Sequence, residues 1–290
     1  MKWGYEKGII YILPVLLIIA FIVLFPLVYN IYLSFHQSSI YSPDLNFVGL
    51  NNYIKLFNDQ SFIAGFKNTI VWTIGSVFFQ ILLGLIAALL LWRINYGKRV
   101  IQTIIMLPWI VPGIAAAASW RWLYHPDFGL INYIFSLFGF KSILWLGDPD
   151  LALAAVIVVN VWKMYPFVAL MILARLQAIP KSVYEAAHID GGNFWQIFFH
   201  ITLPMIRSIL SVLTLLLSIW AFNSFTFIYA MTGGGPARSS EIIGLKIYRD
   251  ALKNMMFGQA ASEALVLFAM MLIFSIVYLY YTYNWREESR

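Results

Sequence analysis

Apolar residues gather into six long runs separated by polar stretches, and none of the runs alternates with the period of two that marks a half-buried strand. No charge falls between Gly8 and Pro43, and the first run covers about residues 9–34. Residues 68–92 lie between Lys67 and Arg93, and 100–120 between Arg99 and Arg121. Residues 151–174 hold one charge, Lys163. Residues 208–230 follow Arg207, and 264–285 lie between Glu263 and Arg286. A helix needs roughly 20 apolar residues to cross about 30 Å of hydrocarbon. In lipid only a helix or a closed barrel satisfies its own backbone. The pattern predicts an all-α integral membrane protein with six transmembrane helices. The first run is too long for a cleaved leader and lacks a following small-residue cleavage site, so it reads as a retained anchor.

Composition agrees. Of 290 residues, 61% are hydrophobic and 11% charged, with a mean hydropathy of +0.79. A soluble domain is closer to half apolar and one quarter charged. A soluble enzyme, a nucleic-acid binder and a disordered chain are thereby excluded, and the net charge of +6 is read against the membrane instead. Ten Lys/Arg fall on the side of the termini: Lys2, Lys7, Arg93, Lys98, Arg99, Arg175, Lys181, Arg207, Arg286 and Arg290. Eight fall on the other side. The dense, short turn from Arg93 to Arg99 carries the positive-inside signal and places both termini in the cytoplasm. Tyr5, Trp3 and the aromatic cluster from Tyr278 to Trp285 read as interfacial anchors. The chain has no cysteine, and its four histidines are scattered. Thiolate chemistry and a histidine metal site are not expected, and no cofactor is implied.

The outer stretches beginning at Tyr41, Tyr124 and Thr232 mix Pro, Asp, Asn and aromatics, and Gly233, Gly234, Gly235 and Pro236 break the fifth run at its outer end. The connection between the fourth and fifth runs is more informative. It reads IPKSVYEAAHIDGGNFWQIFFHITLP over residues 179–204, far longer than two spans need. Pro180 stops the fourth run. Ser182 and Glu185 have the spacing of a capping box, which predicts a short helix over residues 183–189 ended by Gly191 and Gly192. Phe194 to Ile201 forms a second amphipathic piece, with Trp195, Phe198 and Phe199 suited to the interface, and Pro204 starts the fifth run at a bend. Two readings follow: an interfacial hairpin that tidies a loop, or a surface on which a cytoplasmic partner docks, where small Ala186 and Ala187 admit a close backbone.

Glu185-Ala186-Ala187, three residues, Gly191, nine residues, then Ile201-Thr202-Leu203-Pro204 resembles the EAA loop of binding-protein-dependent ABC permeases at every fixed position. FVGLNNYIKLF from Phe47, Asn68-Thr69, MLPWIVPGIAAAASWRWLY from Met106, Asn160-Val161-Trp162 with Pro166, and TGGGP from Thr232 look like the carbohydrate-importing subgroup. That subgroup includes the first permease subunit of maltose-type and multiple-sugar systems. The short outer loop after the first run departs from the maltose subunit, which has a large insertion there. The resemblance implies an N-terminal helix and outer loop over residues 1–67 and a permease core over 68–290. It makes the loop at about 179–204 a coupling helix docked on an ATP-binding subunit. Glu185 would then make a charged contact, Ala186 and Ala187 the close packing and Gly191 the turn, with Asp190 beside it. Implied partners are a second homologous permease, two ATP-binding cassette subunits and an extracytoplasmic solute-binding protein. The place is a bacterial or archaeal inner membrane.

No G-x-x-x-x-G-K-[ST] occurs in the chain, so a phosphate-cradling loop is absent. The resemblance assigns ATP hydrolysis to another subunit. This chain is then no enzyme. Polar residues within spans are candidates for function. Asn160, Lys163 and Met164 share a helical face, with Tyr165 and Pro166 next to it, and Trp220, Asn223 and Ser224 repeat the spacing on the fifth run. Amides and aromatics suit a sugar, and the same groups serve as glue between helices. Gln80 reads as glue. Lys163 reads either as attracting an acidic or phosphorylated sugar or as pairing with the partner permease. An ion-driven carrier would want carboxylates within the spans, and the runs as bounded here contain none.

Overall fold

The computed structural model describes residues 3–40, 42–94 and 96–287. Lys2, Tyr41 and Arg290 lie outside the described residues, and of Trp3, Tyr5, Lys7, Trp285 and Arg286 the backbone alone is described. Helix α1 (Trp3–Ile19) passes through a π-helical turn at Ala20–Leu24 into α2 (Phe25–Ser34). Pro26 stands in the first turn of α2. It has no N–H for the carbonyl one turn back, and the widened turn before it takes up the mismatch. A hairpin of β1 (His36–Ser39) and β2 (Ser42–Phe47) follows, then α3 (Asn51–Asn58) and α4 (Gln60–Arg93). Next come α5 (Lys98–Ile110), α6 (Gly113–Leu123), α7 (Leu130–Leu137) and α8 (Ala152–Gln177). The chain continues with α9 (Lys181–Ile189), α10 (Phe194–Ile197), a π turn at Phe198–Thr202, α11 (Leu203–Asn223) and α12 (Thr226–Met231). It ends with α13 (Ile243–Tyr248), a π turn at Arg249–Lys253 and α14 (Phe257–Glu287).

Among the described residues five helical stretches are long and apolar enough to cross a membrane: Tyr11–Ser34, Gln60–Arg93, Ala152–Gln177, Phe194–Asn223 and Phe257–Thr282. The third expected span differs. It is two helices, α5 and α6, bent by 91° at the break between them. Val111 is extended at φ −58, ψ 131, and Pro112 at φ −55, ψ 139. A proline disfavours helix in the residue before it and offers no amide to the carbonyl four residues back, here Pro108. The fifth span also differs: it starts at Phe194 rather than residue 208, because α10, the π turn and α11 form one rod. Pro204 directly follows that π turn, and the widened turn takes up the amide that the proline lacks, as it does before Pro26.

The chain groups into two compact units, Met1–Ile63 with Lys246–Met270, and Ala64–Leu245 with Met271–Arg290. In the first, β1 and β2 pair antiparallel with His36 opposite Phe47 and Ser39 opposite Ser42, around a bulge. These strands are short and polar, so no hydrophobic alternation announces them. Asn52 Nδ2 donates to the carbonyls of Ser34 (2.8 Å) and His36 (3.0 Å), pinning α3 to the end of α2 and the start of β1. Lys246 Nζ is surrounded by three carboxylates: Asp250 at 2.7 Å, Glu263 at 3.0 Å and Asp59 at 3.1 Å. Glu263 lies in the second turn of α14, so the last span does begin with a buried carboxylate. The sixth run, 264–285, is free of carboxylates only because its border falls at that charge.

The second unit is built around α8, the most enclosed of the spans. Val156, Val159, Val168, Ala169, Ile172 and Leu176 of α8 are buried. At Gly84 of α4 even a methyl group would collide with Val168, so the two helices approach through the missing side chain. Several polar side chains are paired across helices, which matters where no water is available. Trp72 Nε1 donates to the Ala221 carbonyl at 3.2 Å, and Asn160 Nδ2 to Ser76 Oγ at 3.0 Å. Asn68 Nδ2 donates to the carbonyls of Ser239 and Glu241, both at 2.9 Å, and the amide of Ile243 donates to Thr69 Oγ1 at 3.0 Å. The stretch after the glycines is thereby tied to the third turn of α4.

Candidate functional site

The first candidate is the hairpin of α9 and α10. Pro180 at φ −58, ψ 135 is extended and starts α9 at Lys181, with no side-chain cap. Ser182 is therefore already within the helix and does not cap it, which corrects the capping box expected of Ser182 and Glu185. The box exists at the start of the next helix, α10. Asn193 Oδ1 accepts from the Gln196 amide at 2.9 Å, and Gln196 Oε1 accepts from the Asn193 amide at 2.8 Å. An Asn-x-x-Gln spacing is the same signal with amide side chains. The C-terminus of α9 closes as expected. Gly191 is left-handed at φ +78. The Gly192 amide reaches the Ala187 carbonyl at 2.9 Å and the Gly191 amide the His188 carbonyl at 3.1 Å, the two bonds of a Schellman end.

That closure decides what faces outward. Tyr184 and Ala187 are buried, while Glu185, Ala186, His188, Asp190 and Gly191 are exposed. Ile189 at the tip is 85% exposed and Trp195 is 64% exposed. The buried face is held by aromatics. Tyr184 packs on Trp92 at 4.8 Å between centroids, its hydroxyl lies 3.4 Å from Thr202 Oγ1, and the Arg93 guanidinium covers the Phe194 ring at 4.8 Å. Beside the hairpin opens a cleft of about 990 Å³ lined by Trp92, Lys98, Lys181, Tyr184, Glu185 and Ile189. Of the predicted residues, Glu185 and Ala186 thus meet at one surface while Ala187 packs beneath them.

The second candidate lies within the bundle. Asn160 is 6% exposed and its amide is engaged by Ser76. The Lys163 ammonium donates to the carbonyls of Trp109 at 3.0 Å and Pro108 at 3.4 Å, and to that of Val111. Met164 and Tyr165 are half-buried. Trp220 is 41% exposed and tilts on Phe167 at 5.6 Å. Phe167 in turn stacks on Trp109 at 5.9 Å with 16° between planes. Asn223 Nδ2 donates to the Ile219 carbonyl at 2.9 Å, and Ser224 follows where α11 stops. The shelf of Trp109, Phe167 and Trp220 brings α5, α8 and α11 together. Sequence spacing finds Trp220 alone, since the other two rings come from helices whose register is set only by packing. Among the described residues no group of His, Asp and Glu is arranged to hold a metal.

Comparison with known proteins adds a lineage to this geometry. The family described as binding-protein-dependent transport system inner membrane component matches residues 80–286. The trehalose/maltose transport system permease protein MalF of Thermococcus litoralis is 36% identical over 275 residues, covering 94% of this chain and 92% of its own length. The sulfoquinovosyl glycerol transport system permease protein SmoG of Agrobacterium fabrum is 32% identical, covering 94% and 89%. A chain of the bacterial alginate ABC transporter, solved in complex with alginate pentasaccharide-bound periplasmic protein, superposes with a TM-score of 0.84 at 22% identity, covering 96% of each chain. At that identity it is the fold that is shared.

Proposed function

We propose, since this chain belongs to the binding-protein-dependent transport system inner membrane components, that it forms part of the membrane path of an ATP-driven importer for a sugar or oligosaccharide. The solute arrives on an extracytoplasmic binding protein. A second, homologous permease subunit completes the path. Two ATP-binding cassette subunits hydrolyse the nucleotide, for which this chain has no phosphate loop. Both termini and the α9–α10 hairpin face the cytoplasm. The relatives named for trehalose and maltose and for sulfoquinovosyl glycerol support a saccharide as cargo. An acidic or phosphorylated sugar is the second reading, favoured by the anionic cargo named for the latter relative.

The observation that carries the proposal is the closed end of α9, which leaves Glu185, Ala186 and Ile189 exposed over a cleft while Tyr184 and Ala187 anchor the turn. An isolated loop gains nothing from an outward isoleucine. A docked one buries it, at about 25 cal/mol for each Å² removed from water. Glu185 makes the charged contact there, and Asp190 and Gly191 shape the turn. Within the bundle Met164, Tyr165, Trp220, Asn223 and Ser224 line the path. Asn160 and Lys163 stand on the same helix with their polar atoms engaged inside the protein.

Reconstitution tests this. The chain, purified with its permease partner, ATPase subunits and binding protein, should take up labelled maltose or trehalose into liposomes only with ATP. Ala186→Cys should cross-link to an ATPase subunit carrying a cysteine in its docking groove. Uptake driven by a proton or sodium gradient without ATP, or by this chain alone, would overturn the reading.

A further inference from the structure

The break between α5 and α6 leaves backbone carbonyls without amides in the middle of a span. Pro112 supplies no N–H to Pro108, and the 91° turn carries the Gly113 amide away from the helical line of Trp109. The last carbonyls of any helix lack partners and form the negative end of its dipole. In lipid an unpaired carbonyl is costly because no water replaces the lost amide. Lys163, one residue type with three rotatable donors and no acceptor, meets three of these oxygens, those of Pro108, Trp109 and Val111. An ammonium in mid-span needs such a partner or a wet cavity, so each defect satisfies the other.

Resting on the importer reading, we propose that Lys163 is a positioning residue. It caps the C-terminal end of α5 and so fixes the bend that sets Trp109 on Phe167, the ring on which Trp220 also packs, and it does not read a charge on the cargo. Two consequences separate this from a substrate contact. Loss of the ammonium loosens the break itself, whether or not cargo is present. It also lowers the turnover of every cargo alike and leaves the discrimination between neutral and anionic saccharides where it was.

The chain has no native cysteine, so Val111→Cys is a single reporter at the break. In the assembled complex, Lys163→Gln should speed labelling of that cysteine by a membrane-impermeant maleimide by about tenfold, the ratio that accompanies loss of charge-assisted hydrogen bonds. Lys163→Arg, which keeps charge and donors, should label like the parent. In uptake, Lys163→Gln should lower maximal velocity, and any change in KM for a labelled neutral saccharide should be matched by the same factor in inhibition by a uronate oligosaccharide of equal length, so that the preference between them does not move. Equal labelling of the Gln variant and the parent would overturn the proposal. So would fast labelling of the Arg variant, or a changed preference between neutral and uronate saccharides. If the parent complex transports no saccharide, the importer reading fails while the labelling result still decides the role of Lys163.

Discussion

Lys246 and Glu263 lie 3.0 Å apart across the start of the last span, Lys246 on α13 and Glu263 fully buried on α14. Asp250 and Asp59 complete the surroundings of the ammonium. Burial alone would lower the Lys246 value, but the hydrogen bond that its ammonium donates to Asp250 and the Glu263 charge outweigh it and raise it above the ordinary lysine range. Burial raises Asp250, and the hydrogen bond from Lys246 outweighs that and holds the carboxyl below its usual value. Lys246→Met should therefore cost about 3–5 kcal/mol, since it leaves buried carboxylates without a counter-charge. Thermal unfolding of the purified complex measures it, and a shift no larger than that of an exposed lysine would contradict the assignment.

Acid should weaken the same knot before mild base does. Asp250, with its folded value depressed, contributes stability that is present above the ordinary aspartate value of about 3.9 and is lost as pH falls through the folded value. Lys246, with its folded value raised, contributes stability fully present below about 10.4 and lost only as pH rises through the folded value. The contribution of Asp250, measured as the difference between parent and Lys246→Met, should shrink in strong acid.

Capping gives a clean contrast within the hairpin. Asn193→Ala should cost about 1 kcal/mol, the usual worth of a side-chain N-cap, because it removes the Oδ1 that accepts from the Gln196 amide and leaves only the bond from the Asn193 backbone amide to Gln196 Oε1. Ser182→Ala should be close to neutral, since Ser182 makes no cap. Equal effects in a denaturation series would sink the assignment of the helix starts.

Gly191 holds φ +78, where a residue with a β-carbon is strained by about 1–2 kcal/mol. Gly191→Val should leave membrane insertion intact and reduce the ATPase activity that the loaded binding protein stimulates. Gly191→Asn should retain most of it, because Asn tolerates the left-handed region. Full stimulation in the Val variant would show that the turn's conformation does not matter to coupling.

On the aromatic shelf, Trp220→Ala should raise KM for a saccharide by about tenfold, equivalent to roughly 1.4 kcal/mol of lost contact. Trp220→Phe should recover part of it. An unchanged KM in both variants would remove Trp220 from the path.

Much of the fold is legible in the sequence because lipid permits so few solutions: long uncharged runs become helices, and the end of α4 and both ends of α8 fall near the charges and proline that bound them, whereas α4 begins at Gln60 and carries Lys67 within it. The legible part of the hairpin is its glycine end. Misreadings share one cause, which is that a charge or a proline marks a border only when nothing nearby accommodates it. Arg207 and Pro204 look like the start of a span, yet the widened turn at Phe198–Thr202 accommodates the amide that Pro204 lacks, so the helix runs on from Phe194. Glu263 looks like an end, yet Lys246, remote in sequence, allows it inside α14. Lys163 looks like an unmet charge, yet its partners are backbone oxygens, which leave no trace in residue identity. The Trp109–Phe167 stack is invisible for the same reason, since it depends on a 91° bend whose angle no spacing encodes.

The unbroken rod from Phe194 to Asn223 has a bearing on how variants of this chain should be interpreted. At about 1.5 Å per residue it is roughly 45 Å long and barely compressible along its axis, with the Asn193 cap at one tip and Trp220 near the other. A disturbance at the hairpin end is then not a local event. Substitutions many turns from any cargo can alter selectivity and uptake kinetics, and a screen that scores sugar preference will recover residues that never touch a sugar.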